Sequence, residues 1–170
     1  QTTGWGSNPV LCVISGEQRQ VFCAGANAEA QLGNGVPVDY FQYFEQVPGL
    51  DDVQQIAVGG YAACALDGEG QISCWGTSTN LFWQRGEGSQ RVDQPSALAG
   101  LDGIARFSLT GGSPHRFQAV RNDGRVINFG YAIAENSVEP LRVPTHVIDG
   151  CGNGALDCVL TQSNEVWCWG

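Results

Sequence analysis

The chain has 170 residues, 24 of them glycine, with 15% charged residues and a formal net charge of −9. That length holds one domain with a sizeable core, and the turn-rich, weakly charged composition excludes a disordered chain. Eight basic against 17 acidic residues exclude the basic footprint of a nucleic-acid binder, and no run of 18 apolar residues offers a helical membrane span.

The first eleven residues, QTTGWGSNPVL, open irregularly and lead into a hairpin over residues 12–25, CVISGEQRQVFCAG. A glycine-rich connection, GANAEAQLGNG, follows. The stretch Asp39-Tyr40-Phe41-Gln42-Tyr43-Phe44 reads as an aromatic loop. Val53, Ile56 and Val58 give a short strand that Gly59-Gly60 ends. The second hairpin, residues 64–76, is CALDGEGQISCWG. Alternation sets Cys64, Leu66, Ile72 and Cys74 on one face and Ala65, Ser73 and Trp75 on the other. Pairing Cys64 with Cys74 puts Asp67 opposite Gln71 and leaves the loop Gly68-Glu69-Gly70. Its last residue takes the left-handed region, where glycine costs least.

The next connection carries a second aromatic stretch, Asn80-Leu81-Phe82-Trp83-Gln84-Arg85, expected at the place matching the first. It ends in LDGIARFSL, the counterpart of LDDVQQIAV before the second hairpin. The third hairpin, residues 118–130, has Gln118 and Asn128 where the others have cysteine, and Gly124 closes its loop. The fourth, residues 158–170, is CVLTQSNEVWCWG, with Asn164 closing the loop. Its strands are apolar on both faces: Val159, Trp167 and Trp169 on one, Leu160 and Val166 on the other. That suits sheets stacked face to face.

The hairpins end on Gly25, Gly76, Gly130 and Gly170, a period of roughly 50 residues that fits four-stranded propeller blades. The expected fold is all-β, with β-propeller-type blades of about 50 residues. Residues 1–170 would form one domain of roughly three and a half to four blades. Its core would be carried by Trp75, Phe129, Trp167 and Trp169 wedged between neighbouring blades. Six cysteines are expected to form disulfides across hairpin strands: Cys12 with Cys23, Cys64 with Cys74, and Cys158 with Cys168. A metal site lacks the close cysteine pairs and the four ligands it needs. Cys151 is left over, unpaired or available to another chain. Disulfides imply an oxidising setting, so the chain is expected to be secreted, extracellular or at the cell surface. It begins at Gln1 and contains no Met, as a processed mature chain or a fragment would.

No constellation specifies catalysis, and the chain is expected not to be an enzyme. Ser113 and His115 lack a third group to orient them and read as a surface turn. His146 reads as a strand-edge residue. Asp67-Gly68-Glu69-Gly70 and Asn122-Asp123-Gly124 hold too few oxygens for calcium and fit hairpin turns. The run Gly150 to Gly154, GCGNG, precedes no helix and makes no phosphate cradle. No cofactor is expected, and no Asn-x-Ser/Thr sequon occurs.

The order of strand, glycine turn, strand, Trp-Gly, then Asn and Gln-Leu-Gly resembles the regulator of chromosome condensation repeat. In Val21 to Gly35, VFCAGANAEAQLGNG, the residues Gly25, Asn27, Gln31, Leu32, Gly33 and Gly35 stand at the marks of that family. Ala24 replaces the usual Trp and Ala30 a usual Gly. Trp75-Gly76 and Trp169-Gly170 keep Trp-Gly, and the third repeat has Phe129-Gly130. The Gln-Leu-Gly element is lost after the second and third hairpins. The resemblance implies propeller blades, in a ring usually larger than this chain supplies.

The leading functional expectation is a non-enzymatic extracellular structural module. It would associate with copies of itself as a filament subunit, through Trp5 and Val10 at one end and Trp167 and Trp169 at the other. The alternative is a secreted protein-binding or inhibitor module. It would act through Tyr40, Phe41, Tyr43, Phe44, Phe82, Trp83 and Arg85, since aromatics and Arg dominate interface energetics. The family name also implies a fragment of a larger propeller with a nucleotide-exchange role, against which the paired cysteines and acidic charge argue.

Overall fold

The computed structural model describes residues 2–3, 9–36, 38–78, 90–109, 117–129, 146–152 and 156–169, and of Thr2, Thr3, Ser78, Gln90, Asn128, Phe129 and Gly152 the backbone alone. It is all-β. Strands β1 (Thr2–Thr3), β2 (Val10–Ser15), β3 (Gln20–Ala26) and β4 (Tyr40–Gln46) form a first sheet in chain order. The second follows the same order with β5 (Val53–Val58), β6 (Ala62–Asp67), β7 (Ile72–Ser78) and β8 (Gln90–Ala97). The third holds β9 (Ile104–Leu109), β10 (Phe117–Arg121) and β11 (Val126–Phe129). The fourth holds β12 (Val147–Gly152), β13 (Asp157–Thr161) and β14 (Val166–Trp169). Among the described residues every pair of neighbouring strands is antiparallel. These are the propeller-type blades that the repeat spacing predicts.

Each sequence hairpin supplies the second and third strands of its sheet. Cys12 faces Cys23, Cys64 faces Cys74, Gln118 faces Asn128 and Cys158 faces Cys168. The three cysteine pairs are disulfides. Gly70, Gly124 and Asn164 close their turns with φ of 82°, 79° and 61°. In the second turn the Asp67 carboxylate accepts the N–H groups of Glu69 and Gln71 at 3.0 and 2.9 Å, which fixes the loop. The first turn, one residue longer, uses Arg19 at φ 52°. Its guanidinium Nε donates to the Val53 carbonyl at 2.8 Å, across to the second sheet.

The glycine that ends a hairpin has a mechanical reason. Gly25 and Gly76 sit at φ 114° and 98°, and a Cβ on either would strike the backbone oxygen of Pro9 or Tyr61. Those same oxygens accept the next N–H groups, from Ala26 at 2.9 Å and Thr77 at 2.8 Å. Only glycine brings the third strand this close to the start of the second.

The core consists of the seams between sheets. One face of the second sheet, with Ala63, Ala65 and Trp75, packs on Val10, Cys12, Val21, Cys23 and Leu32 of the first. Its other face, with Cys64, Leu66, Ile72 and Cys74, packs on Phe107, Phe117, Ala119 and Ile127 of the third. Val120 and Val126 then meet Val147, Val159 and Trp169 of the fourth. The second and third sheets therefore turn the tryptophan-side face to the sheet before and the cysteine-side face to the sheet after. Turn ends lock the seams: the Val53 N–H donates to the Arg19 carbonyl at 3.2 Å, and that of Ile104 to the Gly70 carbonyl at 3.1 Å.

Three expectations need correction. Residues 40–44 lie in the outer strand β4 and are not a loop, because the chain returns along β3 before crossing to the second sheet. Trp167 is 50% exposed and is not wedged, while Trp169 packs against the valine seam and Trp75 is fully buried. Trp167 faces Val159 on the strand that ends the fourth sheet, beyond the valines of the seam. Val10 is buried in the first seam and cannot form an exposed end. The Phe129 side chain lies outside the description.

Candidate interaction surfaces

Strand β4 presents the most exposed aromatics. Its register against β3 slips between Cys23, which faces Glu45, and Gly25, which faces Phe41. Two residues of β3 thus span four steps of β4, so Gln42, Tyr43 and Phe44 form a bulge that pushes side chains off the sheet. Tyr43 is 79% exposed, Tyr40 and Phe44 are also exposed, and Phe41 packs in part against the first seam. β4 is the outer strand of its sheet, and its far edge pairs with no strand among the described residues.

The second sheet slips at the same place. Cys74 faces Ser96 and Gly76 faces Val92, so Asp93, Gln94 and Pro95 occupy the corresponding bulge. The counterpart of the aromatic stretch is therefore polar. Arg91 there pairs with Asp93 at 2.7 Å and donates to the Ala28 carbonyl at 2.9 Å. This corrects the matching of Asn80–Arg85 to Asp39–Phe44. Val92 follows Gly76 by the same number of residues as Phe41 follows Gly25, a spacing readable in the sequence. Phe82, Trp83 and Arg85, like Trp5, lie outside the described residues.

The second candidate surface is the cysteine-side face of the fourth sheet. Trp167 and Trp169 pair with Val159 and Asp157 on the side of the third sheet. They do not line the face turned away from the third sheet, which corrects their expected place at a self-association end. Leu160, paired with Val166, points the other way, and Val166 is 67% exposed. Asp149, Cys151, Cys158, Leu160 and Val166 border a cavity of about 200 Å3 there.

The repeat's marker residues build a seam and not a site. Asn27 accepts the Leu32 N–H at 3.0 Å and donates to the Val36 carbonyl at 2.8 Å. The Gln31 side chain accepts the Glu29 N–H at 2.9 Å, and its backbone carbonyl takes the Trp75 indole N–H at 2.7 Å. Gly33, at φ 64°, lies flat on the indole, where a Cβ would come within 2.6 Å of the ring. Asn and Gln-Leu-Gly thus fold the loop after β3 into a lid over the next sheet's tryptophan.

Asp67 and Asp123 act as turn acceptors, the latter for the Arg125 N–H at 3.0 Å. His146 sits at the start of β12 at φ 67°. Its carbonyl accepts the Gln162 N–H at 3.0 Å. Ser113 and His115 lie outside the described residues. Among the described residues no group of three His, Cys, Asp or Glu side chains could hold a metal ion.

Consecutive antiparallel sheets stacked face to face, the first two joined by a loop lidding Trp75, define a run of β-propeller blades. Residues 53–80, which carry β5 to β7, match the Regulator of chromosome condensation (RCC1) repeat. The chain is 25% identical over 130 residues to the RCC1 domain-containing protein RUG3, mitochondrial, of Arabidopsis thaliana, across 69% of this chain and 29% of that protein. Human WBSCR16 superposes with a TM-score of 0.76 at 20% identity, over 100% of this chain and 47% of that one. Prp20p of Saccharomyces cerevisiae, studied for its binding to Gsp1p and histones, gives 0.71 at 18% identity, over 95% and 42%. The chain thus carries an RCC1 repeat over residues 53–80 and is similar over most of its length to RCC1-repeat propeller proteins. It spans less than a third of RUG3 and less than half of each of these solved chains.

Proposed function

We infer that this stretch of propeller is a non-enzymatic protein-recognition module of an oxidising, extracellular setting, and that the bulged aromatic strand β4 is its contact surface. The exposure of Tyr40, Tyr43 and Phe44 on an outer strand carries this reading. Aromatic side chains bring large contact area for little lost conformational freedom, and a sheet edge offers backbone hydrogen bonds to an extended partner. Three cross-strand disulfides support the oxidising setting. The net charge of −9 favours a protein partner over a nucleic acid. Yeast Prp20p, a structural neighbour, is itself described as binding proteins.

Self-association is the narrower form of this reading. The exposed Val166 and the half-buried Leu160 give the fourth sheet an apolar face that a second copy would cover. The test compares the natural chain with a Tyr43→Ala/Phe44→Ser variant. Sedimentation velocity at micromolar concentration reads self-association, and affinity capture on the two immobilised proteins reads other partners. A contact present with the natural chain and weakened at least about tenfold in the variant is expected for loss of two interface aromatics. Identical sedimentation and identical captured proteins for both would refute the role of β4.

A further inference from the structure

The geometry points to an internal thiol–disulfide exchange site on the fourth sheet, formed by Cys151, Cys158 and Cys168. Cys158 faces Cys168 on β14, to which it is bonded, and it also faces Cys151 on β12. Directly opposed residues of an antiparallel sheet point to the same face. The three sulfurs therefore form a row across three adjacent strands, with Cys158 in the middle. Cys151 and Cys158 both border the cavity on this face, and Cys151 is an exposed free thiol.

The spacing suits a bond on either side of Cys158. Its Cα lies 4.1 Å from that of Cys168. That close approach marks a pair without backbone hydrogen bonds between them. A middle-strand residue points its N–H and C=O to one neighbour only, so Cys158 makes the hydrogen-bonded pair with Cys151, at about 5.5 Å between Cα atoms. Disulfides commonly span that separation.

The reaction needs no outside oxidant. The Cys151 thiolate attacks the Cys158 sulfur, and a Cys151–Cys158 bond forms as the Cys158–Cys168 bond breaks. Cys168 leaves as a thiolate and takes up a proton equivalent to the one Cys151 gave up. One disulfide and one thiol are present before and after. The row places attacking, central and leaving sulfurs in the order that displacement at sulfur requires.

The other hairpins are closed to this chemistry. Cys12, Cys23, Cys64 and Cys74 are fully buried in seams. The residue facing Cys64 on the preceding strand is Ala57, and that facing Gln118 is Ser108. In the fourth sheet Cys168 is exposed and Cys158 half-buried. The exchange moves the free thiol from β12 to β14, the last described strand of the fourth sheet, where the exposed Cys168 is open to a thiol-bearing or disulfide-bearing partner.

The test uses the unreduced full chain. It is held for hours, the slow end of disulfide reshuffling, then quenched in acid and alkylated with N-ethylmaleimide. Cleavage before Asp157 and after Glu165 separates the three cysteines for mass spectrometry. The expected result is maleimide on Cys168 in part of the molecules, with a bridged Cys151–Cys158 peptide, as well as on Cys151. Maleimide on Cys151 alone would overturn the proposal. So would label on Cys168 in Cys151→Ser, which would show incomplete oxidation instead of exchange. Cys168→Ser removes an exposed atom and spares the seams. With oxidised glutathione it is expected to form the Cys151–Cys158 bond and lose both free thiols. Two thiols that persist there would also overturn it.

Discussion

Replacing Trp75 by Ala tests the seam between the first two sheets. The indole is completely buried, and its N–H donates to the Gln31 carbonyl at 2.7 Å. Removing about 200 Å2 of buried aromatic surface at ~25 cal/mol per Å2 forfeits about 5 kcal/mol. That is the upper end of the ~3–5 kcal/mol typical of Trp-to-Ala changes. The Gln31 carbonyl also loses its donor. Urea unfolding with disulfides intact should show a midpoint lowered to match, with little change in slope. Gly33→Ala approaches the same contact from the other side. Its Cβ would lie 2.6 Å from the ring, at φ 64°, for a cost of about 1–3 kcal/mol. On the Trp75→Ala background the clash disappears and only the backbone strain remains. The double variant should therefore lose less than the sum of the two. A Trp75→Ala loss under about 1 kcal/mol would refute the reasoning, as would additivity within ~0.5 kcal/mol.

Gln55 latches the second sheet to the third: its amide donates to the Phe107 carbonyl at 2.5 Å and accepts the Phe107 N–H at 3.1 Å. Gln55→Glu keeps the acceptor but sets a carboxylate oxygen against that carbonyl, so the urea midpoint should fall by the equivalent of about 1–3 kcal/mol. An unchanged midpoint would show that the latch contributes nothing. In the third hairpin Gln118 is buried, and neither polar atom of its amide makes a hydrogen bond. Gln118→Cys with Asn128→Cys should form the missing disulfide and raise stability by about 2–3 kcal/mol. If thermal unfolding of the oxidised form is not raised over the reduced one, the register is wrong.

The hairpins were legible because each states its own geometry. Paired cysteines fix register, and a turn-closing Gly or Asn fixes loop length, so Cys64 opposite Cys74 and the alternation around it follow from local chemistry alone. The outer strands were not legible. β4 is mostly exposed, β8 is partly so, and both are broken by bulges, so neither alternates, and YFQYFEQ reads as a loop with aromatics. The function of Gln31 and Gly33 was hidden for a different reason. Their partner is the indole of a residue 44 positions from Gln31, and no local pattern records a contact between sheets. The alternation of Val159, Trp167 and Trp169 against Leu160 and Val166 is legible in the sequence, but not that the tryptophan face is the one that meets the third sheet. Hydrophobicity alone does not tell which of two apolar faces meets a neighbour.

The direction of stacking follows from what each face requires. A buried indole needs an acceptor for its N–H. Trp75 finds one only in the loop after the third strand of the first sheet, so the tryptophan face must turn back towards the sheet already made. A disulfide needs no hydrogen-bond partner and can be covered by any apolar surface. Cys12–Cys23 lies under the second sheet and Cys64–Cys74 under the third. Gln118 meets the fourth at Gly150, where any side chain would strike its amide oxygen. The exposed cystine of the fourth sheet is the same face with no described sheet over it. Among the described residues, the accessibility of a cystine, and with it the chemistry open to Cys158 and Cys168, thus follows from whether a sheet covers its face and not from the hairpin itself, since the first, second and fourth hairpins carry the same cysteine pair.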